Sequence, residues 1–449
     1  MLTRALLALS REIRVTPRQL AWLADRVPLW AIRKISEARL LRTLRHVYRN
    51  SPAQRERWGR AGVKLSDLGI PEVLRHIPFT TGADIIERPE DYKCAPPGEL
   101  VHVVSTAGTK GRRKQVFLTQ HDLDHHLTMI GMNFRRLGRS TRILVMFCVS
   151  FPGWATAHVI QNALERAGVF SILSGAEHSP QEQISLIREH NINVLFTTPT
   201  YLHRLTVEAD VEPRSLGIRY IHLGAQAWTE AFRAEMASAW GATLIDCYGS
   251  AESAFGTAAE CVHQNGLHVA ETDFWLEVVD PASGTPLPDG EEGELILTTL
   301  SRFGMPLVRY RTRDIAHLIK QEGRCACGMP LRKMSRVRGR LDDILKLGVA
   351  TNVYPDDIDT AVLSVPGVTD YRLVVGKDGY KDTLHVTVEQ DGEEPGVKDA
   401  VTKALLSIAE IRHGCEHTQT VTIDGIEVVP RGTLSEARPK SNRVVDRRT

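Results

Sequence analysis

The 449-residue chain carries 56 Lys and Arg against 54 Asp and Glu, a formal net charge of +2, with 42% hydrophobic and 24% charged residues. These are the proportions of a globular protein of two or three domains with a sizeable core; they argue against a disordered chain and give no electrostatic reason to bind nucleic acid. No run of 18 or more apolar residues occurs, so no membrane-spanning helix is expected.

In chain order, MLTRALLALSREIRV opens with an apolar run broken by Arg4, Arg11, Glu12 and Arg14, which reads as an amphipathic helix rather than a signal peptide. Residues 1 to about 75 read as helical, with apolar positions such as Leu20, Leu23, Ile32, Ile35, Leu40, Leu41 and Leu44 at roughly helical spacing. Ile77-Pro78-Phe79-Thr80-Thr81 breaks that pattern and caps a helix near Asp84. From about 100 to 250 strands and helices alternate. Strands are expected at Val101–Val104, Arg142–Cys148, Val169–Leu173, Val194–Thr197, Arg219–Leu223 and Thr243–Asp246. Helices are expected at Ala155–Ala167, Pro180–His190 and Thr229–Trp240. Such alternation implies parallel sheets covered by helices, with ligands at the carboxyl ends of strands.

From 266 to 320 the texture turns to hairpins, with Trp275–Val279 and Glu294–Thr298 joined by a stretch dense in Pro, Gly and Asp. Arg336–Pro355, RVRGRLDDILKLGVATNVYP, places paired aspartates where a packed core would not tolerate them, and reads as a hinge between a large domain and a small one. A solvated surface loop is the alternative. The small domain has an α+β pattern: helices at Pro355–Leu363 and Pro395–Ile411, strands at Tyr371–Gly376 and Thr383–Glu389, and a last strand at Ile426–Val429. The tail from Arg431 on is polar, basic and without periodicity. Seven cysteines, an odd count without an export signal, argue for a reducing compartment, the cytoplasm, with free or metal-bound thiols.

Ser105-Thr106-Ala107-Gly108-Thr109-Lys110-Gly111-Arg112-Arg113-Lys114 follows a Val-rich strand and precedes the apolar piece Val116–Leu118. Small hydroxyl residues and glycines let backbone N–H groups converge on phosphate oxygens, and four cations add charge. The spacing is not that of a P-loop with its following helix, and a basic surface turn remains an alternative reading.

The loop resembles the Ser-Ser-Gly-Thr-Thr-Gly-Lys-Pro phosphate loop of the AMP-forming adenylating enzymes, the superfamily of acyl-CoA synthetases, adenylation domains and luciferases. Three further motifs follow in the same order. Tyr248-Gly249-Ser250-Ala251-Glu252 is similar to Tyr-Gly-x-Thr-Glu, Tyr310-Arg311-Thr312-Arg313-Asp314 to Tyr-Arg-Thr-Gly-Asp, and Gly339-Arg340-Leu341-Asp342-Asp343 to the Gly-Arg-x-Asp-Asp hinge. Within the superfamily the chain resembles phenylacetate-CoA ligases in Ile77–Thr81, Thr198–Tyr201, Gly266–Val269, Leu347–Pro355, Gly432–Leu434 and Arg443–Asp446. The resemblance runs from about Leu40 to the end.

It implies an α/β fold: a large N-terminal adenylate-forming domain, residues 1–340, with helix-covered parallel sheets and a β-rich lobe, and a small mobile α+β C-terminal domain, residues 341–449. It also implies ATP-dependent activation of a carboxylic acid to an acyl-adenylate, then transfer to coenzyme A. Thr106, Gly108, Thr109 and Gly111 would cradle phosphates and Glu252 would bind Mg²⁺. Tyr248 would lie against adenine, Gly224, Ala225, Asp246 and Gly249 would line the nucleotide pocket, and Asp314, with Arg340 nearby, would meet the ribose. Lys440 would stabilise charge during adenylation, against the alternative of a solvated tail lysine, and Asp342 would be the hinge pivot. The expected partner is a small carboxylic acid, aromatic in class, with a homodimer left open and neither nucleic acid nor membrane engaged. Phe147, Phe151, Trp154, Tyr201 and the segment around Ser250–Phe255 are candidate walls for that acid, or ordinary core.

Several residues depart from the superfamily pattern. Lys110 stands for Thr, Arg113 for Pro, Ala251 for a hydroxyl residue, Gln226 for Glu, and Pro439 for the Gly before the lysine. They leave two alternatives to a coenzyme A ligase: an adenylating enzyme with another acceptor, such as an amine or a carrier-protein thiol, and a non-catalytic nucleotide-binding relative. Cys261, His268, Cys325 and Cys327 supply four ligands of the kind zinc takes, a set at which some members of the resembled family hold a structural zinc. Reduced thiols packed in a β-rich lobe are the other reading, and His263 is a competing ligand.

Overall fold

A computed structural model describes residues 29–105, 114–135, 137–147, 156–176, 178–208, 210–254, 256–320, 323–348, 351–390, 392, 395–434 and 443–448. Two compact units divide the chain: Met1–Ala225 with Ala239–Val337, and Gln226–Ser238 with Arg338–Thr449.

The first described elements of the first unit are helices α1 (Leu29–Asn50) and α2 (Pro52–Arg60), followed by short 3₁₀ segments at Leu65–Asp67 and Pro71–His76. The helical reading of this region holds for α1 and α2; after Arg60 the glycines and prolines shorten helix to turns. Helix α3 (Gly82–Glu87) starts at Thr81, as the Thr80-Thr81 signal predicts. Its hydroxyl accepts from the Asp84 N–H at 3.2 Å while Asp84 accepts from the Thr81 N–H at 2.8 Å, a reciprocal cap.

Strands β1 (Leu100–Ser105) and β2 (Gln115–Thr119) pair antiparallel on either side of residues 106–113, which lie outside the described residues. Helix α4 (Gln120–Arg135) follows β2 at once, an element the sequence reading did not assign. Strand β3 (Arg142–Met146), helix α5 (Thr156–Arg166), strand β4 (Phe170–Leu173), helix α6 (Pro180–Glu189), strand β5 (Val194–Thr197), helix α7 (Pro199–Glu208), strand β6 (Tyr220–Gly224), helix α8 (Glu230–Trp240) and strand β7 (Thr243–Tyr248) then alternate. Strands β8 (Ala258–Glu260), β9 (Leu267–Val269) and β13 (Lys333–Met334) extend the sheet, giving the order β13-β9-β8-β7-β6-β5-β3-β4. The five strands from β4 to β7 run parallel, and β8, β9 and β13 are antiparallel. Every residue of β5 is buried, the signature of a strand covered on both faces. Gly131 lets α4 approach α5 closely, since a Cβ there would collide with the carbonyl of Ala163. Strands β10 (Phe274–Val279), β11 (Gly293–Thr299) and β12 (Tyr310–Ala316) form the antiparallel lobe, with Trp275 opposite Thr298 as the hairpin reading requires.

The second unit contains most of helix α8, β14 (Gly339–Arg340), the hairpin β15 (Leu345–Leu347) and β16 (Thr351–Val353), helix α9 (Pro355–Leu363), strands β17 (Val368–Asp378) and β18 (Lys381–Gln390), helices α10 (Val397–Ser407) and α11 (Ala409–Arg412), and strands β19 (Val421–Pro430) and β20 (Val444–Asp446). Its main sheet runs β19-β18-β17-β20. Two expectations are corrected here. The helix read over Pro395–Ile411 breaks at Ile408, which is extended at φ −73° and ψ 115°. The tail is not patternless, because Val444–Asp446 pairs in parallel with Leu373–Val375 and closes the sheet edge. Three residues are too few to show alternation, so only the pairing reveals that strand. Among the described residues no helix is long and apolar enough to cross a membrane.

Candidate active site

Strands β6 and β7 run side by side, with Leu223 beside Asp246 and Gly224 beside Cys247. At their carboxyl ends the chain leaves the sheet through Gly224-Ala225 and through Tyr248-Gly249. Gly224 packs so close to β7 that a Cβ would stand 3.2 Å from the Cys247 carbonyl oxygen. Ala225 sits at φ +69°, a left-handed conformation costing a residue with a Cβ about 1 kcal/mol, and such strain concentrates at functional sites. Asp246 accepts from Nε of Arg336 at 2.9 Å, and its own N–H donates to Glu260 at 2.9 Å. Cys247, between them, has its thiol pushed well up by burial and by the charges of Asp246 and Glu260, which suits an inert structural cysteine.

Two clusters follow. The Tyr248 hydroxyl donates to Oδ2 of Asp314 at 2.6 Å. Burial first, and the Asp314 charge next, hold that phenol well above its ordinary value, so it stays a donor. Glu252 is 4% exposed and pairs with the Lys114 ammonium, while the Tyr310 hydroxyl donates to it at 2.7 Å. Burial alone would raise this carboxyl; Lys114 and Tyr310 more than offset it and hold it below the usual carboxylate range. The result is an ionised carboxylate in a desolvated place, with a cation beside it. The backbone of the same residue is also held, its carbonyl accepting from Nη1 of buried Arg302 at 2.6 Å.

The sequence-predicted residues Gly224, Ala225, Asp246, Tyr248, Gly249, Glu252 and Asp314 all belong to the first unit, and Arg340 and Asp342 belong to the second. Thr106, Gly108, Thr109, Gly111 and Lys440 lie outside the described residues, as do Phe151 and Trp154. Of the candidate acid walls, Phe147 packs edge-on against Phe196 at 5.0 Å and Tyr201 donates to the His178 carbonyl at 2.7 Å. Lys114, Tyr310 and Arg336 join the predicted residues at these carboxylates; nothing local to them in the sequence signals which carboxylate each meets.

The four zinc-type residues come together. Cys261 follows β8, His268 lies in β9, and Cys325 and Cys327 sit in the turn that leads to β13, which pairs with β9 through Lys333 and His268. That turn closes with the Gly328 N–H donating to the Cys325 carbonyl at 2.8 Å and Gly328 at φ +85°. The four donor atoms lie within 4.8 Å of one another, with the Cys261 and Cys325 sulfurs 3.8 Å apart and the Cys327 sulfur 3.4 Å from Nε2 of His268. Tetrahedral zinc with Zn–S bonds of about 2.3 Å separates sulfurs by about 3.8 Å, so the donor set and its spacing fit that ion. Nδ1 of His268 lies 3.4 Å from the Leu331 carbonyl, the outer partner that fixes a ligating imidazole. His263 is not part of the set.

Comparison with known proteins covers most of the chain. Residues 31–301 match the AMP-binding enzyme family and residues 350–448 match the AMP-binding enzyme C-terminal domain. The phenylacetate-coenzyme A ligase of Aromatoleum evansii is 30% identical, covering 93% of this chain and 94% of its own. That of Escherichia coli (strain K12) is 31% identical, covering 93% and 95%. Among solved structures, 2-hydroxyisobutyryl-CoA ligase in the postadenylation state with 2-HIB-AMP superposes with a TM-score of 0.79 at 21% identity, covering 93% of this chain and 89% of that one. At that identity the likeness speaks for the fold.

Proposed function

The chain belongs to the AMP-binding enzyme family, and from that membership we propose that it activates an aromatic carboxylic acid with ATP and passes the acyl group to coenzyme A. It is an AMP-forming acid–CoA ligase. A carboxylate oxygen attacks the α-phosphorus, the bond from that phosphorus to pyrophosphate breaks, and an acyl-adenylate forms. The coenzyme A thiolate then attacks the acyl carbon and AMP leaves with the bonding electrons. Positioning and charge neutralisation supply most of such catalysis. The aromatic class is supported by the relatives' name, phenylacetate-coenzyme A ligase.

The roles assigned to this chain's residues rest above all on the buried, ionised Glu252 between Lys114 and Tyr310, beside the Tyr248–Asp314 pair. Asp314 accepts from the ribose hydroxyls and Tyr248 lies against adenine. Gly224, Ala225, Asp246 and Gly249 line the nucleotide pocket, with Arg340 toward the ribose. Thr106, Gly108, Thr109 and Gly111 hold the phosphates, and Lys440 stabilises charge on the reacting groups. Residues 1–340 and 341–449 act as the large and small domains, with Asp342 as the pivot. Glu252 suits a magnesium ion, a hard cation that would neutralise phosphate charge when bound. Cys261, His268, Cys325 and Cys327 suit a structural zinc that ties β9 to the turn before β13. The odd cysteine count and this thiol set support a reducing compartment, the cytoplasm.

The test is pyrophosphate release with ATP, Mg²⁺ and a panel of aromatic and aliphatic acids, with and without coenzyme A. Release that depends on an aromatic acid, together with an acyl-CoA product, supports the reading. Release without acyl-CoA redirects the acceptor, and silence with every acid removes the ligase reading.

A further inference from the structure

Beyond the segment that carries Glu252 lies a cavity of about 30 Å³, walled by Ala254 and Gly256 and by Met129 and Phe274, with Arg302 and His126 among its polar lining side chains. Arg302 is 6% exposed, and its one hydrogen bond among the described residues goes to the Glu252 carbonyl. The nearest charges acting on it are Asp122 and Glu252. Asp122 is already engaged, accepting from the N–H groups of Thr119, Phe303 and Gly304. Glu252 is engaged by Lys114 and Tyr310. Burial pulls the guanidinium down to about 10, which leaves it charged at neutral pH.

Nε2 of His126 is buried and has no hydrogen-bond partner among the described residues. Burial, then Arg302 and His125, hold this imidazole down to about 3, so it is neutral and offers a hydrogen bond rather than a charge. Gly256 leaves room beside it, for a Cβ there would stand 3.3 Å from Cγ1 of Ile130 and 3.9 Å from Cε1 of His126. Buried polar groups of native proteins are almost always satisfied, and leaving one without a partner costs about 1–3 kcal/mol. One such group, beside a charged arginine on the wall of the same small cavity, marks a place able to receive a partner.

What it receives is limited by charge. Asp273 also lines the cavity, and its carboxylate is taken by His125, Arg39, Ser301 and Thr272. Two buried carboxylates lining the space, Asp122 and Asp273, disfavour a further anion. A neutral hydroxyl answers both side chains at once, because its oxygen accepts from the guanidinium while it exchanges a hydrogen bond with Nε2. The volume suits a group of that size.

We propose that this cavity is a specificity pocket for the acid, and that Arg302 and His126 select an aromatic acid bearing a ring hydroxyl. This rests on the ligase reading above and names the substrate class within it.

The test compares pyrophosphate release by the full chain with an unsubstituted aromatic acid and its three ring-hydroxylated isomers, in the parent protein and in His126→Leu and Arg302→Met. At least one hydroxylated isomer is expected to exceed the unsubstituted acid in kcat/KM by about tenfold or more, as sites built to bond a hydroxyl do. Each substitution is expected to bring that ratio near one. Arg302→Met also loosens the Glu252 carbonyl, so His126→Leu, with its fold checked by thermal unfolding, carries the decision. Turnover without a preference for any hydroxylated isomer overturns the proposal and leaves the ligase reading standing, as does a ratio unchanged in folded His126→Leu; a water molecule then fills the cavity. Silence of the parent protein with every acid overturns both.

Discussion

Tyr248 at the end of β7 and Asp314 in β12 share a 2.6 Å hydrogen bond, so two motifs separated in sequence by strands β8 to β11 meet at one pair of oxygens. The phenol donates and the carboxylate accepts, which orients Asp314 before any nucleotide arrives. Asp314→Ala is expected to raise the KM for ATP by roughly tenfold to a hundredfold, the value of one or two hydrogen bonds to a charged group. Tyr248→Phe, which removes only the orienting bond, is expected to cost about tenfold or less. Steady-state kinetics in ATP at saturating acid measure both, and an Asp314→Ala effect no larger than that of Tyr248→Phe would remove Asp314 from nucleotide binding.

Lys114 keeps Glu252 ionised against burial. A carboxyl held below its ordinary value is charged above that lowered pKa and loses its charge only as the pH falls through it. In Lys114→Met burial prevails and the carboxyl rises. The acid limb of kcat/KM for pyrophosphate release is therefore expected to move to higher pH by about one unit or more. An acid limb that stays in place would show that Glu252 is not the group that limits activity at low pH.

The Cys261–His268–Cys325–Cys327 set predicts close to one equivalent of zinc in the purified protein. Chelation, or the double substitution Cys325→Ser with Cys327→Ser, is expected to lower the thermal midpoint by several degrees, since metal binding is folding free energy. Zinc below about a tenth of an equivalent would sink this assignment and leave reduced thiols packed in the lobe.

In the second unit Arg443 anchors β20. Its Nε donates to Asp370 at 2.6 Å and its Nη1 to Asp359 at 3.4 Å, while its carbonyl accepts from the Leu373 N–H at 2.7 Å. Burial pushes the Asp359 carboxyl up even with Arg443 beside it, so losing the guanidinium strands a buried acid. Arg443→Met is expected to destabilise the unit by about 3–5 kcal/mol in urea unfolding, and adding Asp359→Leu to recover part of that. Lys440 lies three residues upstream of Arg443 in the sequence. The adenylation half-reaction is therefore expected to fall further than thioester formation from preformed acyl-adenylate. Equal losses would detach the anchor from Lys440.

Asp342→Pro is expected to spare acid-dependent pyrophosphate release while blocking acyl-CoA formation, because proline fixes the φ angle a pivot must change. Rapid-quench measurement of the two half-reactions decides it, and equal slowing of both would move the pivot elsewhere.

The sequence by itself determined the alternating α/β organisation, the β-lobe, the four ordered motifs and the Cys–His–Cys–Cys set. The organisation, the lobe and the motifs are written in local terms, as side-chain period, turn residues or short runs, whereas the halves of the Cys–His–Cys–Cys set lie far apart in the chain and were joined by the resemblance. Even the cap at Thr81 was legible, because both partners lie within one helical turn. Helix α4 escaped notice because it follows β2 without a turn to mark it, and β20 because three residues show no period. The partners of the charges were also beyond reach of the sequence. Lys114 finds Glu252, Arg336 finds Asp246, and Arg302 reaches the Glu252 carbonyl with a lone imidazole nearby, through sheet order and register that join distant segments. Only the tertiary structure decides these, because a buried charge takes its protonation state and its partner from whatever the fold brings within a few ångströms.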